Sequence, residues 1–432
     1  MFSRRSFLLA TTAATTASAL GRTPFGGVLR LALPWPVSQL DPHGLDDAAS
    51  SLFGPFIADS LFASDDQGRV YPALADGMPE AVGKDLRVRL RPNLLSARGR
   101  PVEARDVLYS LERASVRAGA GPLAPLAPFR LDPEDARAVR LRRVAPEEAA
   151  KRLASPVCAI LPRGYSATAP DGTGAFRADV QRSGLVLRRN VSAARGAAYL
   201  ERIEVRAASD LSESLRAFEA GETDMSWLGQ FLHKPRADAQ KLAAGSFGWV
   251  VLFTGDDAGN WGAPGIAQSL VDAVVPSQLT HLGIQPEGSA TARGALWGGE
   301  PAEILAPEDA PQLIAVARQL ASVLARPGHE LRAAPRPRPE LDYRIRTRRF
   351  ALRVGFVRRV APGSEGALWS LLAAISPELA RTPPVATGSS LRGLTRSQRA
   401  GVVGGVDITG AFTSELQGVN QWDLGAVFRR KP

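Results

Sequence analysis

The segment from residue 203 to residue 228 constrains the possible folds of this chain more than any other. Residues 203–206 and 224–228 each have the composition of a strand. Between them, Asp210 and Glu213 have the spacing of a capping box, and Gly221 supplies a helix stop. Three apolar residues share one face of the intervening helix: Leu211, Leu215 and Phe218. This order predicts an α/β fold, with a right-handed crossover if the two strands are parallel.

The remainder of the chain repeats this alternation of strands and helices. Strands are predicted at 27–34 and 86–91, where apolar residues alternate, and also at 350–357, 406–408 and 424–428. Helical spacing of apolar residues predicts helices at 48–61, 104–114, 266–274, 309–324 and 366–375. Loops are expected at 118–135 and 284–308, and a proline-bearing extended connector at 332–339. Two α/β lobes account for this order.

Three local features carry more specific expectations. Gly172 and Gly174 flank a threonine, and we expect them to allow a tight turn with positive φ. Asp309 is expected to cap the helix that has Pro311 in its first turn. Asp41 is interpreted as a loop cap and Asp106 as a surface charge of its helix, so neither is expected to bind a ligand.

The charge of the chain does not indicate a nucleic-acid partner. The formal net charge is +10, with only five lysines among the basic residues. The arginines are scattered along the chain and do not form a stripe. A high ratio of arginine to lysine, together with abundant Ala, Gly and Pro, is typical of proteins encoded by a GC-rich genome. No RNP motif or zinc finger is present, so we predict no binding to nucleic acid.

The sequence lacks the motifs of the common exported enzymes. It contains no metal-binding H-E-x-x-H or C-x-x-C, no P-loop and no G-x-S-x-G. The lone Cys158 is predicted to be a small buried hydrophobe that forms no disulfide. The histidines are far apart and are predicted to be surface or turn residues: His43, His233, His281 and His329. We therefore predict no catalytic residues, no metal and no cofactor.

The first 19 residues have the features of an export signal. Arg4 and Arg5 precede a weakly apolar run that is too short to cross a bilayer. The surrounding Ser-Arg-Arg-x-Phe-Leu frame favours a twin-arginine signal over an ordinary secretory one, and cleavage is expected after Ala19. The mature protein is accordingly predicted to be periplasmic.

Four stretches of the sequence together resemble one known family. They are Val28 to Pro42 with its Leu-Asp-Pro loop, Asp59 to Ala75 with Pro-Ala-Leu-Ala, Leu86 to Arg113 with Ala-Arg-Asp-Val-Leu-Tyr-Ser-Leu-Glu-Arg, and Gly172-Thr-Gly174 followed by Phe218 to Asp224. In this order they are similar to the family 5 extracellular solute-binding proteins, the periplasmic receptors of peptide-, nickel- and related ABC importers.

The resemblance implies an α/β, two-lobed periplasmic-binding-protein fold of type II, cluster C-like, with mixed sheets, flanking helices and a hinge. It implies a signal peptide at 1–19, lobe I at 20–245, lobe II at 246–400 and a return to lobe I at 401–432. Such proteins bind a solute by closing the two lobes, which requires no nucleophile, base or metal.

Aromatic residues and an arginine near the expected lobe crossing are the candidate ligand-binding residues. An aromatic pocket accepts side chains of a peptide-like ligand, and an arginine pairs with a carboxylate. For each aromatic residue the alternative is packing in the core. The candidates are Trp35, Trp227, Phe253, Trp261, Phe356 and Arg358.

Three functions remain open from the sequence. The first is a monomeric, non-catalytic binding protein that captures a peptide-like or other small solute and delivers it to an inner-membrane ABC permease. The second is a degenerate protein of the same fold that acts as a sensor or receptor without transport. The third and least favoured is a periplasmic enzyme exported by the twin-arginine route.

Overall fold

The computed structural model describes residues 25–65, 67–117, 121–227, 239–285, 294–360, 369–374, 393, 395–419 and 422–429. The predicted export signal at 1–19, with Arg4, Arg5 and the cleavage site after Ala19, lies outside the described residues, as does His233. Among the described residues, no helix is long and apolar enough to cross a membrane.

The strands and helices follow one another in the order of an α/β protein. The strands are β1 (Val28–Leu33), β2 (Phe62–Ser64), β3 (Val70–Pro72), β4 (Glu80–Val82), β5 (Asp85–Arg89), β6 (Arg130–Leu131), β7 (Ala138–Arg142), β8 (Phe176–Gln181), β9 (Gly184–Arg189), β10 (Arg202–Ala207), β11 (Met225–Trp227), β12 (Ala239–Thr254), β13 (Ile284–Gln285), β14 (Ala302–Pro307), β15 (Leu331–Arg336), β16 (Leu352–Arg358), β17 (Ala400–Thr413), β18 (Leu416–Gln417) and β19 (Phe428–Arg429). The helices are α1 (Ala48–Ile57), α2 (Ala104–Arg117), α3 (Pro146–Leu153), α4 (Leu211–Glu219), α5 (Ile266–Asp272), α6 (Ser277–Thr280), α7 (Pro311–Leu324) and α8 (Arg338–Thr347).

The predicted β–α–β unit is confirmed as β10, α4 and β11. Both strands pair in parallel with β1, which lies between them. The capping box is present, because Asp210 Oδ1 accepts the Glu213 N–H at 2.7 Å and Glu213 Oε2 accepts the Ser209 N–H at 2.6 Å. This unit places the carboxyl ends of β1, β10 and β11 at one edge of the sheet.

A single large sheet runs through both lobes. Its strand order is β15-β14-β16-β12-β17-β11-β1-β10-β9-β8, with β13 paired to β17. The 16-residue β12 and the 14-residue β17 are antiparallel partners along most of their length. At one end β17 pairs with β11, and at the other end β12 pairs with β16. These two long strands therefore connect the lobes and occupy the place of a hinge.

The sequence analysis predicts neither the full length of β17 nor any of β12. The first half of β12, residues 239–246, contains three Ala residues with one Lys and one Gly, residue types of low strand propensity. It forms a strand because β17 supplies hydrogen-bonding partners along it. The predicted lobe boundaries at 245/246 and 400/401 fall within or beside these strands and stay a prediction.

A smaller layer of lobe I has its own core. Four strands pair in the order β4-β5-β7-β6, helix α2 packs on β6 and β7, and helix α3 packs on β2 and β3 beside them. The buried residues include Leu86, Val107 and Leu111 from the predicted strand and helix. Cys158 lies in the same cluster with 1% of its surface exposed, as the sequence analysis predicts.

Several sequence predictions in the second half are wrong. The expected loop at 284–308 contains β14, and the expected connector at 332–339 contains β15 and the start of α8. Pro335 is tolerated because β15 is an edge strand of the sheet. The residue before α7 is Ala310, without a side-chain cap, while the Asp309 carboxylate pairs with Arg338 Nε at 2.6 Å.

The Gly-Thr-Gly segment also differs from its prediction. Neither Gly172 nor Gly174 has a positive φ. Instead, a Cβ at either position would overlap the backbone at the end of α1, at the carbonyl oxygens of Ile57 and Phe56. The two glycines therefore allow a close backbone approach, and the Gly174 N–H donates to the Ile57 carbonyl at 3.1 Å.

Candidate functional site

The two lobes meet where the parallel strands of each reach their carboxyl ends. In lobe I this edge carries Trp35, just after β1, and Trp227, at the end of β11. In lobe II it carries the ends of β14 and β16, which are parallel to each other. We call the contact between residues 35–47 of lobe I and residues 309–312, 338 and 356–358 of lobe II the seam. Carboxyl edges of α/β sheets are where such folds bind ligands.

Five aromatic side chains pack together beside the seam. Trp35 and Trp227 lie 4.9 Å apart between ring centroids in an edge-to-face arrangement. Phe247 lies 5.8 Å from each of them and 5.4 Å from Phe356, and Trp422 lies 5.9 Å from Trp227. All five are buried. We call these residues the aromatic cluster; they come from both lobes and from the strand that connects them.

The structure therefore brings together three of the six candidate residues. Trp35, Trp227 and Phe356 are members of the aromatic cluster. The sequence analysis missed Phe247 and Trp422. Phe247 lies in the part of β12 that was not predicted, and its apolar neighbours at 249–253 were the available signal. No local pattern marks Trp422, which meets the cluster only through tertiary contacts.

A hydrogen bond joins the lobes across the seam. Trp35 Nε1 donates to Gln312 Oε1 at 2.7 Å, and Gln312 Nε2 donates to the Leu282 carbonyl at 2.6 Å. The cavity beside this contact has a volume of about 20 Å³ and is bordered by Asp46, Asp309 and Arg338. A volume of ~15 Å³ is already enough for one water molecule. Side chains thus fill the seam in the arrangement that the structure describes.

Arg358 lies in the seam and is almost completely buried. Its Nη1 donates to the Pro42 carbonyl at 2.6 Å, and its backbone N–H donates to the Leu45 carbonyl at 2.7 Å. Burial lowers the pKa of Arg358 to about 10, while Asp47 and Asp41 nearby favour its charged form. The side chain is therefore protonated at neutral pH and holds the loop of lobe I that precedes α1.

Phe253 and Trp261 lie outside the aromatic cluster. Phe253 stands at the end of β12, where the Arg353 guanidinium carbon lies 3.7 Å from its ring centroid. Trp261 packs on Trp297 with 5.2 Å between ring centroids and borders a cavity of about 590 Å³ within lobe II. The structure brings neither residue to the seam.

A buried ionic network fixes the loop beneath Arg358. The Arg113 guanidinium binds both carboxylate oxygens of Asp41, at 2.8 and 2.7 Å, and donates to His43 Nδ1 at 2.9 Å. His43 Nε2 donates to the Ala159 carbonyl at 2.8 Å, which fixes the neutral tautomer with its proton on Nε2. His43 is a turn residue, as the sequence analysis predicts for it as one of two alternatives, but none of its surface is exposed.

Asp106 is also buried, against its interpretation as a surface charge. Only 3% of its surface is exposed. Its carboxylate accepts the backbone N–H of Glu103 at 2.9 Å and that of Arg163 at 3.0 Å. It therefore satisfies backbone donors at the start of α2 and does not face solvent.

Acidification is expected to destabilise the protein through His43. Burial lowers the pKa of His43 from 6.5 to about 4. Below pH 6.5 the unfolded chain takes up a proton that the folded protein does not, so the free energy of unfolding falls as the pH falls from 6.5 toward 4. Between about pH 7 and pH 5 this loss amounts to about 2 kcal/mol. Urea unfolding at several pH values measures it.

Two histidine variants, one at the buried position and one elsewhere, test this prediction. His43→Gln should flatten the pH dependence in that window, whereas His281→Gln should leave it unchanged. An unaltered slope in His43→Gln would assign the acid sensitivity to other groups.

The described residues contain no group of three or more His, Cys, Asp or Glu side chains arranged to hold a metal ion. Two of the carboxylates at the seam are engaged by other groups of the protein. Asp309 pairs with Arg338, and Asp47 accepts the Ser50 N–H at 3.0 Å in front of α1. Burial raises the pKa of Asp47, and its hydrogen bonds oppose that effect.

Comparison with known proteins relates this geometry to a family. No curated protein sequence matches the chain. Residues 69–247 match the family model described as bacterial extracellular solute-binding proteins, family 5 Middle. This segment covers β3 to the middle of β12. Of the four stretches that carry the resemblance, it includes the third and fourth fully and the end of the second.

Solved structures extend the likeness to nearly the whole chain. The binding protein AgaA from A. tumefaciens R10, in complex with agropinic acid, has a TM-score of 0.70 at 15% identity and covers 94% of this chain and 99% of its own. The oligopeptide-binding protein AppA from Bacillus subtilis, in complex with a nonapeptide, has a TM-score of 0.69 at 12% identity over 95% and 100%. DppA from Helicobacter pylori, in complex with peptide STSA, has a TM-score of 0.70 at 16% identity over 94% and 99%.

These matches confirm the predicted fold class. The mixed sheet, the flanking helices and the two long connecting strands correspond to the two-lobed type II periplasmic-binding-protein fold of the matched structures. Residues 69–247 thus resemble family 5 of the bacterial extracellular solute-binding proteins, and nearly the whole chain has the fold of the matched structures.

Proposed function

We propose that this protein captures a peptide-like or other small solute between its lobes and delivers it to an ABC importer. The observation that carries this proposal is the aromatic cluster at the facing carboxyl edges of the two lobes. Aromatic walls with a few polar groups are the usual lining of a small-molecule site. The matched structures hold agropinic acid, a nonapeptide and the peptide STSA in complexes of their own.

The ligand would enter by opening of the seam. Opening breaks the contact between Trp35 and Gln312 and exposes Trp227 and Phe356, while bending is taken up by β12 and β17. Closure then follows if the ligand makes more favourable contacts in the closed form than in the open one. The exposed carboxylate of Asp46 on lobe I offers a negative charge to a cationic group of the solute.

The cellular setting is part of the same proposal. A twin-arginine signal cleaved after Ala19 would export the folded chain to the periplasm, where it would act as a monomer with an inner-membrane permease. The proposed function requires only ligand binding with closure of the lobes, so we propose no catalytic step. The family description as extracellular supports this setting.

A second candidate function is a degenerate binding protein that serves as a sensor or receptor without transport. The observation in its favour is the filled seam, with a cavity of only about 20 Å³. The remaining alternative from the sequence, a periplasmic enzyme, has no specific observation in its favour among the described residues.

Native mass spectrometry separates the two candidates. The mature chain, from residue 20 onward, is purified from its own periplasm, weighed intact and then denatured to release any bound molecule. A solute at near-equal stoichiometry is expected. An empty protein without a thermal shift against peptide, opine and metal-chelate panels would contradict the transport proposal and favour the degenerate receptor.

Matched tryptophan variants then test the location of the site. Trp35→Phe keeps an aromatic ring but loses the N–H that bonds Gln312, so the closed form is less favoured and ligand affinity should fall about fivefold to tenfold. Trp261→Phe, outside the seam, should leave the affinity unchanged. Equal affinities in both variants would place the ligand elsewhere.

A further inference from the structure

A second cavity of lobe II is unusually basic. It has a volume of about 280 Å³. It lies between the end of β12, the start of β16, helix α8 and the residues just before β17. Its apolar wall includes Phe253, Ile345 and Phe350. Three arginines also line it: Arg348, Arg353 and Arg399. Among the described residues that line it there is no aspartate or glutamate.

The Arg353 side chain contacts aromatic rings and forms no ion pair among the described residues. Its guanidinium lies 3.7 Å from the Phe253 ring centroid and 5.7 Å from that of Phe350, and its Nε is buried without a hydrogen-bond partner. No carboxylate of the described chain forms an ion pair with it. Arg353 is half-buried, and Asp46 favours its charged form without forming an ion pair, so the two aromatic faces are the contacts that the structure gives its guanidinium.

The strand itself makes room for this side chain. Gly355 follows two residues later on the same face of β16, and a Cβ there would lie 2.8 Å from Arg353 Nη1 and 3.5 Å from the Phe253 ring. Glycine weakens a strand interior and often marks a close approach by another group. Here the missing Cβ accommodates the guanidinium along the sheet.

The other two arginines leave the cavity with a net positive charge. Arg399 pairs with Asp256, which does not line the cavity. Arg348 ends α8 in the left-handed conformation with φ of 55°, and its exposed side chain has no partner among the described residues. Two guanidinium groups, those of Arg348 and Arg353, therefore lie beside an apolar wall without an ion pair among the described residues.

We propose that this cavity binds a small organic carboxylate, with its charged end at Arg353 and its carbon skeleton on Phe253, Ile345 and Phe350. A planar guanidinium matches a carboxylate in two parallel hydrogen bonds, and the aromatic and aliphatic wall favours an apolar body over a bare inorganic anion. The site lies wholly in lobe II and does not depend on the solute site proposed at the seam.

Calorimetric titration of the mature chain with benzoate tests the assignment. Benzoate should bind with one-to-one stoichiometry, whereas benzamide, its uncharged counterpart, and inorganic phosphate should bind at least tenfold more weakly. Arg353→Met should weaken benzoate binding tenfold or more. Arg332→Met, an exposed arginine of edge strand β15 in the same lobe, is the matched control and should bind like the unaltered protein.

Further variants keep the proposal open to refutation. Arg353→Met retains an unbranched stem on Phe253 and removes a half-buried charge that forms no ion pair, so its melting temperature should be equal or higher. Arg348→Gln, at an exposed position, should weaken benzoate binding about threefold. The proposal is overturned if benzamide binds as tightly as benzoate, or if binding persists in Arg353→Met and is lost in Trp35→Phe, which would place benzoate at the seam.

Discussion

Replacing Gly174 with alanine is expected to lower the free energy of unfolding by about 3 kcal/mol or more. A methyl group at this position would overlap the backbone at the end of α1, at the carbonyl oxygen of Phe56. Backbone atoms cannot rotate away as a side chain does, so either α1 or the Gly-Thr-Gly segment has to shift. A shift also weakens the hydrogen bond between the Gly174 N–H and the Ile57 carbonyl.

The substitution of Gly174 is expected to disturb contacts beyond the last turn of α1. Thr173, between the two glycines, donates from its hydroxyl to Asp59 Oδ2 at 2.9 Å and accepts the Asp59 N–H at 3.3 Å. These bonds join the end of α1 to the segment before β8, and α1 packs in turn against β12 and β16. Displacing α1 would therefore loosen the packing beneath both lobes.

Gly77→Ala is the matched control for this substitution. Gly77 has no positive φ, and no atom lies within 4 Å of the position that its Cβ would take. Alanine there should be neutral or slightly stabilising, because it restricts the unfolded chain. Urea unfolding followed by circular dichroism compares the two variants, and a loss in Gly77→Ala as large as that in Gly174→Ala would refute the explanation by steric overlap.

Replacing Asp41 with alanine is expected to lower the free energy of unfolding by about 3 kcal/mol. The Asp41 carboxylate is buried and forms two hydrogen bonds with the Arg113 guanidinium. Burial alone raises the pKa of Asp41, but the bonds and charge of Arg113 outweigh that effect and hold the pKa below its ordinary value. Without Asp41, the largely buried Arg113 keeps its charge and loses its counter-ion.

Two comparisons make this test specific. Asp65→Ala removes an exposed carboxylate that pairs with Arg69 at 2.7 Å and accepts the N–H groups of Gln67 and Arg69, and it should lower the free energy of unfolding far less than Asp41→Ala does. The double variant Asp41→Leu with Arg113→Met replaces both charges by apolar groups and should be more stable than Asp41→Ala alone. A double variant that is the least stable of the set would contradict the view that the unpaired charge causes the loss.

The Asp41 network also bears on the seam. Residues 41–45 carry the carbonyl groups of Pro42 and Leu45, which accept hydrogen bonds from Arg358 of lobe II. A loop released by Asp41→Ala would hold Arg358 less firmly. We therefore place the buried network among the features that set how readily the two lobes separate.

The sequence by itself determined the elements whose signals are local. The capping box of α4 needs residues three apart, the helix that became α2 needs an apolar face, and β1 and β5 need strict alternation. Each such pattern spans less than about four turns of helix or one strand, so it can be read along the chain. The family resemblance rests on these same segments, and the fold class followed from them.

Tertiary structure alone decided the features that depend on contacts between distant residues. The first half of β12 has a poor strand composition and becomes a strand because β17 lies beside it. Trp35, Trp227, Phe247, Phe356 and Trp422 meet although nearly 400 residues separate the first from the last. The close approach at Gly174 and the buried partners of His43 were not predicted for the same reason. Each depends on two segments that are distant in sequence, and neither segment alone indicates the other.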